Sequence, residues 1–308
     1  MSSFISIFDN IHSTVNLSKK KVWFVINPIS GTSSKDTVPA IISSQLDSKI
    51  FDYEIKYTKF KGHGSEIGKE AVRNKVDIVC AVGGDGSVHD IGTTLIGTNI
   101  KLAILPVGSG NGLARHLKIP KDLKDAVRCI NKNNSILMDT VKMNNAPLLG
   151  FGGFGLDALI AKKFNEDNKR GFWVYVKHAT KEFFKYQPIN FTIETNGEIK
   201  KIPGLMCTVA NTSEFGNGFI VSPKSDPTDG KLELVILKPF SFWKIPFVMK
   251  NYFKGKLQRE AVSEVISFET ATIEMNNSLG HYDGEPTVVS NKVIIEVVPK
   301  SLHIIIGK

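Results

Sequence analysis

Cysteine is scarce in this 308-residue chain. Cys80, Cys129 and Cys207 are too few and too dispersed for a disulfide framework or a zinc cluster. Cys80 and Cys207 fall in apolar runs and read as small buried hydrophobes. A reducing, cytoplasmic setting is expected. Long apolar runs are also missing. Lys238 and Lys244 interrupt the stretch from Val235 to Met249, and no run reaches the roughly 18 residues that a helical membrane span needs. Met1 to Asn10 lacks a basic leader, so no secretory signal is expected. Phe4, Ile7, Phe8, Ile11 and Val15 recur at helical spacing, which fits a short docked helix or one that touches a membrane. The phosphate-loop pattern G-x-x-x-x-G-K-[ST] is absent, as are the H-R-D and D-F-G triplets of protein kinases. Gly150, Gly152 and Gly155 do fit G-x-G-x-x-G. No acidic residue follows near Tyr175, where a ribose-binding carboxylate belongs, so that segment is not read as a dinucleotide fingerprint.

What is present is ordinary globular composition with a basic excess. Hydrophobic residues make up 42% and charged residues 22% of the chain, which excludes disordered and collagen-like classes. Lys and Arg number 39 against 30 Asp and Glu, a net charge of +9 that favours an anionic partner. The length predicts two domains. Up to about residue 138, short buried strands alternate with helical stretches, which predicts a mostly parallel sheet covered on both faces. Beyond it, strand-like segments follow one another with turns such as Asp229-Gly230 and Asp283-Gly284, which predicts an antiparallel domain.

Three glycine-rich turns end predicted strands of the first half: Asn27 to Gly31, Gly83 to Gly86, and Gly108 to Gly112. The carboxyl edge of an open α/β sheet is where ligands bind. Glycine there lets backbone N–H groups approach an anion, and a following helix adds its positive end. Three such turns on one edge predict a nucleotide. Asp85 lies inside the second loop, where it would repel phosphates unless a cation such as Mg²⁺ intervened. A turn aspartate bonded to its own backbone is the plainer alternative.

These residues, with Thr58, Gly62-His63, Gly155, Asp157-Ala158, Asn211, Pro223, Asp229-Gly230-Lys231-Leu232 and Asp283-Gly284-Glu285, resemble the diacylglycerol kinase catalytic-domain family, which includes sphingosine and ceramide kinases. The resemblance runs from about residue 20 to the end, with the motifs in the family's order. It implies an α/β nucleotide-binding domain like that of NAD kinases, a doubly wound parallel sheet at 1–138. A C-terminal antiparallel β-sandwich at 139–291 would shape the lipid site. The last strand, about 292–308, often returns to the first domain in such folds. By motif match, Asn27, Ser30, Thr58, Gly84, Gly86, Ser109 and Asn111 would contact ATP, and Asp85 would act through Mg²⁺. Glu285 would be the general base that takes a proton from a primary hydroxyl. Asp229 matches a structural metal position, or is a plain turn.

Gly112 stands where many diacylglycerol kinases carry an acid, and Asp157 where the sphingosine branch places an acid near the lipid amine. Both departures resemble the sphingosine branch, but the chain is short and lacks the insertions typical of the larger sphingosine kinases, so the expected acceptor is diacylglycerol first, with a sphingoid base or ceramide as the alternative and NAD more remotely. Two aromatic and basic segments, Lys169 to Tyr186 and Phe240 to Arg259, fit either a core-facing helix or an anionic membrane surface. Expected partners are ATP, a lipid, a peripheral membrane surface and, as an open option, a second copy of the chain. Nucleic acid is not expected, because no reader motif is present.

Overall fold

The computed structural model describes residues 18–30, 36–167, 172–257 and 261–307, without the side chains of Phe172, Trp173 and Tyr175. The N-terminal helical pattern around Phe4 to Val15, Gly31 and Arg259 lie outside the described residues.

The first half is built on central strands that bury almost every side chain, with a more exposed edge strand beside them. β1 (Lys20–Ile26), β2 (Phe51–Tyr57), β3 (Ile78–Gly83) and β4 (Lys101–Pro106) pair in parallel in the order β2-β1-β3-β4. Every residue of β3 is buried, as continuous apolar runs require in a sheet covered on both faces. The crossovers are α1 (Val38–Gln45), α2 (His63–Arg73) and α3 (Asp85–Leu95). α2 packs on α3, whereas α1 packs on α5 (Leu123–Lys132) across the sheet. That division follows from right-handed crossovers when the strand order reverses at β1. A short α4 (Gly112–His116) leaves the loop after β4.

The second half is antiparallel. β10 (Met206–Ala210) is flanked by β11 (Leu232–Leu237) and β7 (Phe151–Gly155) in a six-stranded sheet of order β12-β11-β10-β7-β14-β15. Its outer strands are β12 (Ser263–Phe268), β14 (Leu279–Tyr282) and β15 (Glu285–Val288). The facing layer holds β13 (Thr270–Glu274), β8 (Ile189–Thr195) and β9 (Glu198–Gly204). Phe154, Phe191, Ile193, Leu234, Phe268 and Ile273 fill the space between the layers. Burying each such side chain stabilises the fold by about 1.5–3 kcal/mol.

One strand joins the halves. β16 (Lys292–Ile305) pairs with β13 through its first residues and lies parallel to β4 at Ile304. β5 (Ser135–Met143) follows it along one side past a register shift between Val298 and Leu302, and β6 (Ala146–Leu148) pairs on β5. The change in texture near residue 138 falls inside β5. The connection between the halves is thus a continuous hydrogen-bonded sheet. α6 (Leu156–Glu166), α7 (Phe172–Phe183) and α8 (Ile245–Phe253) lie outside the six-stranded sheet over a third apolar cluster.

Candidate active site

The three glycine loops meet at the carboxyl edge of the parallel sheet. The loop after β3 must turn at once into α3, and a Cβ on Gly83 would stand 2.3 Å from Ser87 Oγ. The loop after β4 presses against it: Gly83 O accepts from Val107 N at 3.1 Å and Gly108 N at 3.2 Å. A Cβ on Gly108 would lie 2.4 Å from Gly84 Cα, so the two backbones touch. The first loop joins through Asn27, whose Nδ2 donates to Ser87 Oγ at 3.2 Å, and Ser30 Oγ approaches Gly83. Thr58 N donates to Ile26 O at 2.9 Å, which fixes the end of β2 beside that loop. Ser109 is the exposed tip of the third loop.

Asp85 begins α3 after the Gly84 cap. Its Oδ2 accepts from Asn111 N at 2.8 Å and its Oδ1 from Gly112 N at 2.7 Å. Asn111 adopts a left-handed φ of 55°, and its Nδ2 donates to Gly108 O at 2.7 Å. The Asp85 carboxyl is raised to about 6: burial pushes it up, the backbone amides pull it part of the way back, and the like charge of Asp283 adds to the rise. None of these groups is a cation. Among the described residues no cluster of three His, Cys, Asp or Glu is arranged to hold a metal. Mg²⁺ needs no such cage, since it takes one or two carboxylates together with phosphate oxygens and water. A single uncompensated carboxylate among glycine loops fits a cation that arrives with its nucleotide.

The second half contributes the opposite wall. Asp283 (φ 47°) and Gly284 (φ 86°) form the two-residue turn between β14 and β15, the mirror-image turn favoured in hairpins. Glu285 follows. A Cβ on Gly86 would be 3.4 Å from Glu285 Oε1, so the carboxylate stands over the first turn of α3. Lys61 Nζ donates to Glu285 Oε2 at 2.8 Å, and the Glu285 side chain remains 38% exposed, open to a substrate hydroxyl. The sandwich also grips the third loop: Arg115 of α4 forms an ion pair with Glu214, and Asn111 bridges to Gly216.

Asp157 lies in the first turn of α6 at 4% exposure. Its oxygens accept from Ala158 N at 2.8 Å and Thr208 Oγ1 at 2.9 Å, and Oδ2 stands 3.3 Å from His281 Nε2. Enclosed in this way, it presents no open carboxylate edge. Asp229 is exposed, and its Oδ1 accepts from Lys231 N at 2.9 Å, a local turn on the segment that packs against Asp139.

Sequence reasoning left His89, His281 and Lys61 without a role and treated Asp283 only as a turn former. His89 Nδ1 stands 2.7 Å from Asp283 Oδ2. Burial alone would lower the His89 pKa, but Asp283 outweighs it and the imidazole is raised. Burial would raise Asp283, yet His89 and the amides of Leu149 and Gly150 hold it below the usual carboxylate range. One signal was readable: His89 follows Asp85 by four residues on a helix, which points both side chains the same way.

Residues 21–143 match the diacylglycerol kinase catalytic domain, and residues 150–306 match the YegS C-terminal NAD kinase beta sandwich-like domain. A probable lipid kinase YegS-like protein of Pectobacterium atrosepticum is 25% identical over 262 residues, covering 82% of this chain and 86% of the relative. A diacylglycerol kinase of Mycobacterium tuberculosis is 28% identical over 193 residues, covering 60% of this chain and 62% of the relative. The solved structure of a putative diacylglycerol kinase from Bacillus anthracis shares the fold, with a TM-score of 0.74 at 22% identity over 94% of this chain and 98% of that one. With both domain matches in order along nearly its whole length, and with the glycine loops and the Asp-Gly-Glu turn converging on one cleft, the chain belongs to the diacylglycerol kinase catalytic-domain family of lipid kinases.

Proposed function

We propose that the chain transfers the γ-phosphoryl group of ATP to the primary hydroxyl of diacylglycerol, forming phosphatidic acid and ADP. The observation that carries this reading is the placement of Glu285, from one half of the molecule, over the α3 start that bears Asp85 from the other. Asn27, Ser30, Thr58, Gly84, Gly86, Ser109 and Asn111 seat the nucleotide along the sheet edge. Asp85 would hold Mg²⁺, which would supply charge neutralisation at the phosphates. Glu285 accepts the hydroxyl proton as the acceptor oxygen bonds to the γ-phosphorus and the bond to the bridging β–γ oxygen breaks. Phosphoryl transfer depends chiefly on positioning and charge neutralisation, which is what the two opposed walls provide.

The enclosure of Asp157 favours a neutral acceptor, because an amino-diol would need an open carboxylate near its ammonium. Incubation with ATP, Mg²⁺ and a panel of diacylglycerol, sphingoid base, ceramide and NAD, with products identified by mass, tests the assignment. Phosphatidic acid as the main product supports it, and phosphorylation of another acceptor alone overturns it.

The acceptor resides in a bilayer, and we infer that the outer face of α7 and α8 meets it. Trp243 is 79%, Phe184 62% and Phe247 49% exposed, large fractions for aromatic and apolar rings. Phe242 packs against both Phe184 and Trp243, so the rings form one continuous patch. Lys181, Lys185, Lys244, Lys250 and Lys254, on the same two segments of the chain, are exposed, which suits anionic headgroups. Among the described residues no helix is long and apolar enough to cross a membrane.

A further inference from the structure

A two-residue hairpin turn does not by itself hold a side chain at fixed reach from a loop of another domain. Two His–Asp contacts flank the turn that carries Glu285. On one side, Asp283 accepts from the amides of Leu149, Gly150 and Phe151 at 2.9, 2.8 and 3.1 Å, and meets His89 at 2.7 Å. Those three amides tie the turn to its own sheet. Among the described residues, His89 bonds it to α3 one helical turn beyond Asp85, and Lys61, just ahead of α2, pairs with Glu285 at 2.8 Å. On the other side, Gly284 N donates to His281 Nδ1 at 3.3 Å. Nδ1 is thereby the acceptor, and Nε2 carries the proton toward Asp157 Oδ2. The Thr208 hydroxyl, on β10, fixes that same oxygen.

We infer that His89–Asp283 and His281–Asp157 are positioning pairs that hold the Glu285 carboxylate in register with the nucleotide loops, with His89 as the joint between the two halves of the site. The chemistry requires such a joint. A base displaced by about 1 Å costs on the order of 100-fold in rate. Neither half can fix the distance alone, since Asp85 opens α3 in the first half and Glu285 begins β15 in the second. His281 lies on β14 and Asp283 in the turn that follows it, and each is bonded to a different partner. The kinetic part of this inference rests on the lipid kinase reading, whereas the structural part does not.

The test compares His89→Ala with His89→Asn, whose amide can stand where Nδ1 stood. Hydrogen exchange reads the 279–288 hairpin, steady-state kinetics read turnover, and melting temperature serves as the control for folding. His89→Ala should speed hairpin exchange about tenfold and lower kcat about tenfold or more, with KM for ATP within about twofold of the parent. His89→Asn should recover most of both. Hairpin exchange and kcat at parental values in His89→Ala overturn the inference, and so does a His89→Asn variant no better than His89→Ala. A parent protein that phosphorylates no acceptor would sink the kinase assignment, while the exchange measurement would still decide whether His89 holds the turn.

Discussion

Two Asp-Gly pairs face each other across the cleft, one opening α3 and one forming a hairpin turn, and their partners give them opposite electrostatics. Asp85 is pushed up to about 6 because burial and the nearby Asp283 charge outweigh two amides. Asp283 suffers burial as well, yet His89 and a set of amides hold it below its ordinary value. In the third such pair, Asp229-Gly230, the Asp229 side chain is exposed and accepts from the nearby Lys231 N, while Gly230 N donates to Asp139 Oδ2. The same dipeptide thus supplies a carboxylate still in need of a cation, a carboxylate already satisfied, and a surface turn. What a carboxylate can do is set by the charge and hydrogen bonds around it, and in this molecule those come from distant parts of the chain.

The sharpest way to break the comparison is Asp85→Ala. Removing the one carboxylate within the glycine loops should cost about 1000-fold or more in phosphoryl transfer while the circular dichroism spectrum stays unchanged. Near-normal turnover would show that the two turns do not differ in role. Glu285→Gln should lower kcat about 100-fold with little change in KM for ATP. If kcat barely moved, the base would have to lie elsewhere. Asp157→Asn should reduce turnover by roughly tenfold, equally with diacylglycerol and with an amino-diol, because its effect passes through His281. A loss confined to the amino-diol would return Asp157 to the role of amine partner. Trp243→Ser should weaken co-sedimentation with anionic vesicles by a few-fold and leave transfer to a detergent-dispersed lipid intact. Unchanged co-sedimentation would reject the α7–α8 face.

The smallest effect concerns pH and stability. His89 faces Asp283 and Glu285 of the hairpin and Asp90 of its own helix, and together they raise its pKa. A raised histidine stabilises the fold fully below its unfolded pKa of about 6.5 and loses that contribution as pH climbs through the folded value. The melting-temperature gap between the parent and His89→Ala should therefore be widest near pH 6 and shrink toward pH 9. Asp283, held low, contributes stability above its unfolded value and loses it only in stronger acid. A gap that widened with rising pH would contradict the pairing.

Much of the nucleotide half was legible because its signals are local. A buried strand, a glycine turn and a helix start lie within about fifteen residues of one another at each loop, and glycine is demanded where backbones touch, as at Gly83 and Gly108. The Asp-Gly-Glu turn was legible for the same reason. The joint between the halves was not. His89 and Asp283 are 194 residues apart in sequence, and His281 and Asp157 are 124 apart. No periodicity in a single sequence links residues at such distances. Asp157 shows the limit most plainly: its residue type and motif suggest an amine partner, and only burial beside Thr208 and His281 turns its oxygens inward.

By itself the sequence determined that strand and helix alternate in the first half, that glycine loops line one sheet edge, and that an Asp-Gly-Glu turn sits in an antiparallel second half. Those features depend on local backbone geometry and hydrophobic spacing, which neighbouring residues dictate. The tertiary structure decided the register by which β16 passes from β13 to β4, a return that the family resemblance implied only in outline, and it set Glu285 over α3. It alone decided which charges and hydrogen bonds surround each of the three aspartates. Protonation and alignment depend on distances between atoms, and those exist only once the two halves have packed.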